Sequence, residues 1–271
     1  MSITNTEVAA PRVLTGFQQV VFADRTVWLR RAVIVTLVLL WEAGARLAGN
    51  TGLVAPPSSV LYALATEILS DEQVRGALCT AVFEIATAYG LAVAGGLAIG
   101  LAAGWTRFGR QSLFPIVMLF YAIPQVVLLP LFTLGFGIGP SAKIAFGCSH
   151  GIFPVIVNTI AGMRNVNPVY LKAARSMGAK RGDIIRNVIF PHMTGSFFTG
   201  LRLAMTMTLL GVILAELYVS VGGIGYFTRQ FANSFDPAPL FALIGALAVI
   251  AMAMNGMVRL AERRWNRWKT A

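Results

Sequence analysis

The sequence predicts an all-α integral membrane fold with six transmembrane helices. Three observations carry that reading. Of the 271 residues, 56% are hydrophobic and only 12% are charged. The apolar residues arrive in blocks of roughly 20, the length that crosses a bilayer as a helix. The connections between blocks are short and hydrophilic, which leaves no room for a soluble domain. Helices satisfy every backbone group inside lipid; a transmembrane barrel would instead show strict alternation.

Residues 1–31 read as a cytoplasmic N-terminal segment. No apolar run precedes the first span, so no cleavable secretory signal is expected. Val13, Phe17, Val20 and Val21 share one helical face, which suggests a short helix lying along the membrane surface, with a disordered tail as the alternative. Residues 32–262 form a single transmembrane domain with spans at 32–48, 77–105, 113–136, 142–163, 193–221 and 240–260, and residues 263–271 form a basic cytoplasmic tail.

Within the first span Glu42 is an intramembrane charge, as are Glu84 in the second and Arg202 in the fifth, and such charges need partners. At about 1.5 Å per residue, Glu42 lies about 15 Å and Arg202 about 14 Å from the cytoplasmic side, while Glu84 falls within about 7 Å of Arg202 in depth. Pairing of Arg202 with either carboxylate is the expectation, as a structural clamp or as a group facing the solute. Along the second span Ala88, Ala92, Gly96, Gly100 and Gly104 form a stripe of small residues that lets helices approach closely, within one subunit or across a dimer.

Pro115, Pro124 and Pro130 interrupt the third span, inviting kinks and free carbonyls that line a cavity; Pro124, Gln125 and Pro130 are pathway candidates. Cys79 and Cys148 form no CxxC or zinc set and read as packing residues. At the outer end of the fifth span, "AELYVSVGGIGY" sets Glu216 beside Gly222, Gly223 and Gly225. That pattern reads either as a snorkelling surface charge with an ordinary loop, or as a hinge and outer gate.

The loop at 164–191 is basic and weakly apolar. Pro168 suits a first helical turn, Leu171, Ala174 and Met177 recur on one face, and Gly178 is placed to stop the helix in a left-handed conformation. A second short helix with Ile184, Ile185 and Val188 on its apolar side then runs to Pro191, giving a helix, turn, helix shaped to dock in a groove.

The net charge of +11 maps onto topology. Seventeen of the 22 Lys and Arg residues fall on the side of the N-terminal segment, the 164–191 loop and the tail, Arg259 at the inner end of the last span among them, and five, Arg46, Arg75, Lys143, Arg202 and Arg229, fall on the other side or in the membrane interior. This positive-inside bias places both termini and the 164–191 loop in the cytoplasm. Nucleic-acid binding is therefore not implied. "GWTRFGR" at 104–110 has phosphate-loop spacing, but Arg110 and Gln111 stand where Lys and Ser/Thr are required. His150 and His192 lack acidic or cysteine company, so no metal site is expected, and neither a catalytic cluster nor a cofactor motif is present.

Ala173, Ala174, Gly178, Val188, Phe190 and Pro191 match the spacing of the "EAA" signature, EAA-x3-G-x9-I-x-LP, with Lys172 in place of its glutamate. The chain thereby resembles the membrane permease subunits of binding-protein-dependent ABC importers. "VAPPSSVLYAL" at 54–64, "IPQVVLLPLFTLGFGIGPSAKI" at 123–144, "FPVIVNTIAGMRNV" at 153–166, "TGLRLAM" at 199–205 and "ERRWNRW" at 262–268 look like the nitrate/sulfonate/taurine-type branch. Glu84 and "VNT" at 157–159 look more like relatives serving pyrimidine vitamin precursors or aromatic acids.

The resemblance implies a type I ABC importer permease fold in a bacterial inner membrane. It implies a homodimer that works with two cytoplasmic ABC ATPase subunits and an external solute-binding protein, with ATP hydrolysed by the partner. It also implies that Lys172, Ala173, Ala174, Arg175, Ser176, Met177, Gly178 and Ala179 form the coupling helix that contacts the ATPase. Glu216 and Gly223 are gate candidates by the same pattern. The alternative is an autonomous secondary transporter or channel, whose signs would be proton-relay carboxylates or paired broken helices at the midplane.

Overall fold

The computed structural model describes residues 16–49 and 53–265, which are almost wholly helical. Val13 and the tail beyond Trp265 lie outside the described residues, so the expected surface helix enters only as backbone from Gly16 onward. The chain forms two compact units, Met1–Ser59 and Val60–Ala271.

In the first unit, α1 (Gly16–Leu47) is one helix that runs through the expected first span. Its apolar side chains, Val33, Leu37, Leu40 and Trp41 among them, are exposed, as on a helix bathed in lipid. Four other helices are long and apolar enough to cross a membrane, and a bent pair makes a fifth. In α1, Arg30 and Arg31 on one side and Glu42 and Arg46 on the other bracket a shorter apolar run.

Glu42 has its own local use. It accepts from Arg46 Nε at 2.6 Å, from the Ser58 hydroxyl at 2.8 Å and from the Ser58 N–H at 3.0 Å, at the first turn of α2 (Pro57–Ala63). A carboxylate there meets unpaired N–H groups and the positive end of the helix dipole.

The second unit is built around α6 (Pro140–Arg164), which packs against α3 (Glu72–Trp105) on one side and α9 (Phe190–Val219) on the other. Small residues make both contacts possible. A Cβ on Gly96 would come within 2.7 Å of the Val155 Cβ, and one on Gly100 within 2.7 Å of the Thr159 Cβ. On the opposite side a Cβ on Gly200 would sit 2.7 Å from the Asn158 Cβ and one on Gly211 2.9 Å from the His150 ring. The stripe on α3 therefore packs within the chain, the first of its two sequence readings. Close backbone approach of this kind is the main source of helix association in lipid, where no hydrophobic force drives it. Cys148 joins the core on this side, whereas Cys79 is exposed.

The expected third span is not one helix. It breaks into α4 (Arg107–Ala122) and, after a 3-10 turn at Gln125–Leu128, α5 (Leu129–Phe136), with an 80° bend between the two arms. Pro124 causes the break by forcing Ile123 into an extended conformation (φ −67°, ψ 130°) and by offering no N–H. Pro130 sits in the first turn of α5, where it costs nothing, and Pro115 is accommodated inside α4.

The expected boundary at Pro191 is also absent. After α7 (Pro168–Ser176), α8 (Arg181–Ile184) passes through a π turn at Ile185–Ile189 directly into α9. The wider turn, closed by the Phe190 N–H on the Ile185 carbonyl, takes up the strain of Pro191 and lets the helix continue. α10 (Ile224–Asn233) and α11 (Pro237–Trp265) complete the unit. A core of Ile68, Val74, Leu78, Ile224 and Leu243 ties them to the start of α3.

Candidate functional site

At the end of the second unit opposite the 164–191 segment, three helices bring charged side chains to one buried point. Lys143 stands in the first turn of α6, Glu84 on α3 and Glu216 in the last turn of α9. Lys143 Nζ lies 2.7 Å from Glu84 Oε1 and donates to Glu216 Oε1 at 2.9 Å. All three are buried: Glu84 is 0% exposed, Glu216 1% and Lys143 5%. Taking such charges out of water costs several kcal/mol for each ion, so the cluster persists only because its members pair.

The turn from α9 into α10 is shaped around Glu216. Its Oε2 accepts the Gly225 N–H at 3.0 Å, so the first turn of α10 is anchored to the last turn of α9 through one carboxylate. Gly223 has φ +103°, and a Cβ there would sit 2.9 Å from Glu216 Oε1. A Cβ on Gly225 would overlap the Glu216 backbone. Gly222 needs no such freedom. Beside the turn, Arg229 donates to the Ser220 carbonyl at 2.5 Å. The reading of Glu216 as a snorkelling surface charge is thus replaced, because Lys143 and Gly225 give it better partners than the interface would.

The expected pairing of Arg202 with Glu42 or Glu84 does not form. Arg202 pairs with Glu262 of α11 and reaches Thr199 Oγ1 at 3.2 Å. The long side chain carries its guanidinium away from the depth of its own Cα, toward the end of α11. Lys143 is the partner that sequence reasoning missed. Its place just inside the fourth span, with Glu84 and Glu216 near the same ends of theirs, is the signal the sequence offers.

At the broken span, Gln125 meets Ser149, whose hydroxyl donates to Gln125 Oε1 at 3.5 Å, while Pro124 and Pro130 are exposed. On the opposite end of the unit, α7 begins with Asn167 accepting the Val169 N–H at 2.9 Å and ends at Gly178, whose φ is +78°. The Gly178 and Ala179 N–H groups return to the Arg175 and Ala174 carbonyls, closing the helix end as expected for a left-handed stop. Lys172, Ala173, Arg175, Ser176, Met177 and Gly178 are exposed, Met177 by 86%; Ala174 and Ala179 are half-buried. A groove of about 560 Å³ runs beside the tip, lined by Tyr170, Ala173, Ala174, Met177 and Val188.

The family described as binding-protein-dependent transport system inner membrane component matches residues 94–267. The formylaminopyrimidine transport permease protein of Halalkalibacterium halodurans is 27% identical, covering 86% of this chain and 92% of its own. The taurine transport system permease protein of Escherichia coli is 29% identical, over 90% of this chain and 91% of its own. A putative aliphatic sulfonates transport permease protein of Bacillus subtilis is 27% identical, over 90% and 89%. Among solved structures, the inward-facing MetNI methionine ABC transporter superposes with a TM-score of 0.60 at 19% identity, covering 74% of this chain and 98% of the other.

Proposed function

The chain belongs to the family of inner-membrane components of binding-protein-dependent transport systems, the permeases of ABC importers, and from that premise we propose how it works. Two copies form the translocation pathway, two cytoplasmic ATPase subunits drive it, and an external binding protein delivers the solute. The chain has six crossings, with α1 as the sixth and both termini in the cytoplasm. The solute is small: an organic or inorganic anion such as a sulfonate, nitrate or an aromatic acid, or a pyrimidine-type vitamin precursor. The relatives transport formylaminopyrimidine, taurine and, putatively named, aliphatic sulfonates.

One observation carries the mechanism. The exposed tip at Lys172–Ala179 is followed by a helix that continues without a break into the span bearing Glu216. ATP-driven closure of the ATPases pulls on the tip, and α9 carries the displacement to the opposite end, where Glu216, Gly223 and the α9–α10 turn act as the outer gate. Pro124, Gln125 and Pro130 at the broken span contribute to the pathway wall, and Arg202 with Glu262 holds α11 to α9.

Gly178→Asp tests the coupling step. A side chain at φ +78° strains the helix stop, and a charge is added at the tip. Membrane level, ATPase co-purification and solute uptake are measured together. Normal membrane level with lost uptake supports the assignment, and normal uptake removes it. The alternative of an autonomous secondary transporter draws on the buried Glu84 and Glu216 carboxylates, which such a machine would need. Transport by the isolated chain in liposomes would decide for it; dependence on a co-purifying ATPase decides against it.

A further inference from the structure

The charge cluster is not balanced. Two carboxyl groups face one ammonium in a buried setting. Its oxygens are unequally satisfied as well. Glu84 Oε1 lies against Lys143, Glu216 Oε1 accepts from Lys143, and Glu216 Oε2 accepts from the Gly225 N–H. Neither Glu84 oxygen has a hydrogen-bond partner among the described residues, although the side chain is wholly buried: Oε1 meets Lys143 only as an ion pair, and Oε2 meets no donor. A buried carboxylate oxygen without a donor is costly, and a built site of this kind wants a donor from outside the chain.

Glu84 and Lys143 line a cavity of about 650 Å³ at the outer end of the unit. Thr80 and Ser220 add polar groups to its wall, and Tyr226 and Phe227 add aromatic ones. That volume suits a small solute. Arg229 is exposed and already tied to the Ser220 carbonyl, and Arg75 is exposed and donates to the Leu69 carbonyl, so neither is paired with Glu84. Lys143 is saturated by two carboxylates and has little attraction left for an incoming anion. What the cavity lacks is positive charge carried on N–H donors.

We propose that this cavity is a solute subsite within the permease, and that it recognises a primary ammonium group through Glu84 Oε2. The assignment rests on the importer reading and narrows it. Among small solutes, those that carry an amine, whether zwitterionic sulfonates or aminomethyl heterocycles, fit the site, and plain anions such as nitrate do not. Glu84 binds the ammonium, Lys143 and Glu216 hold Glu84 in place, and the aromatic pair covers the body of the solute.

The test uses the full chain in lipid nanodiscs with its co-purified ATPase, and reads the unfolding temperature of the permease. Four probes are compared at matched ionic strength: 2-aminoethanol in its ammonium form, choline, ethylene glycol and glycolate. Choline carries the charge without an N–H, ethylene glycol the size without the charge, and glycolate the opposite charge. The expected result is a saturable rise with 2-aminoethanol alone. In Glu84→Gln, whose fold keeps the neutral Lys143–Glu216 pair, its half-saturating concentration should rise about tenfold, as for a lost hydrogen bond to a charged group.

An equal rise with choline would reduce the effect to charge screening and overturn the proposal. A rise with glycolate would make Lys143 an anion site and overturn it as well. No rise with 2-aminoethanol in the wild-type protein overturns it without any variant. Failure of the importer reading would show separately, as the absence of an ATPase in the same preparation.

Discussion

Lys143 makes two ion pairs, with Glu84 and with Glu216. Its ammonium separates two carboxylates that would otherwise face each other in a medium of low dielectric, and its removal strands both. Lys143→Met should therefore cost about 3–5 kcal/mol and lower the yield of folded permease. The additional changes Glu84→Gln and Glu216→Gln should restore most of the unfolding temperature, because an apolar and amide cluster of the same volume needs no counter-charge. Persistent misfolding of the triple variant would mean that Lys143 acts through its packing. Gly223 is set by the same carboxylate. Gly223→Val should lower uptake with the protein still inserted, since its backbone sits at φ +103° and its side chain would meet Glu216 Oε1. Measured uptake equal to wild type would return the turn to the status of a connecting loop.

At the scale of elements, the sequence made the helices and the helix, turn, helix shape of the 164–191 segment legible and left their partners hidden. Block length and composition gave the membrane fold, because lipid imposes both directly on the chain. The helix stop at Gly178 was legible because a left-handed residue has so few candidates. The 80° break at Pro124 was only half legible, since a proline in a span announces a kink without its size. Pairing was not legible. Arg202 found Glu262 rather than Glu42 or Glu84, because depth counted along one helix ignores the reach of a long side chain and a neighbour on another helix. The Arg202–Glu262 pair is part-exposed, so its worth lies in fixing α11 against α9 more than in stability. Arg202→Ala should loosen that contact, seen as faster hydrogen exchange along α11, and Glu262→Gln in the same background should change it little further. A second, independent effect of Glu262→Gln would break the assignment of the pair.

At the scale of the whole second unit, the two ends are joined by one continuous helix. Residues Gly182–Val219 form 38 residues of unbroken turns, about 57 Å at 1.5 Å per residue, with the exposed tip at one end and Glu216 at the other. α6 braces this helix along its length through glycine contacts, so bending in the middle is opposed by packing as well as by hydrogen bonds. On the proposed mechanism, a rigid element of that kind would carry a pull from the tip to the α9–α10 turn with little loss, whereas a flexible one would absorb it. Leu203 and Leu210 are exposed on α9 and carry no polar contacts that a substitution would break. The pair Leu203→Gly and Leu210→Gly should loosen the helix at a cost of about 0.5–1 kcal/mol each, small enough to keep the protein folded. Leu203→Ala with Leu210→Ala removes the same side chains while preserving helical stiffness, and serves as the control. In reconstituted complexes, the glycine pair should keep basal ATP hydrolysis but lose most of its stimulation by solute-loaded binding protein, and the alanine pair should keep both. Equal stimulation in the two would show that the signal reaches the outer turn by another route, with α6 or α3 as the next helix to soften, because those long helices pack most extensively against α9.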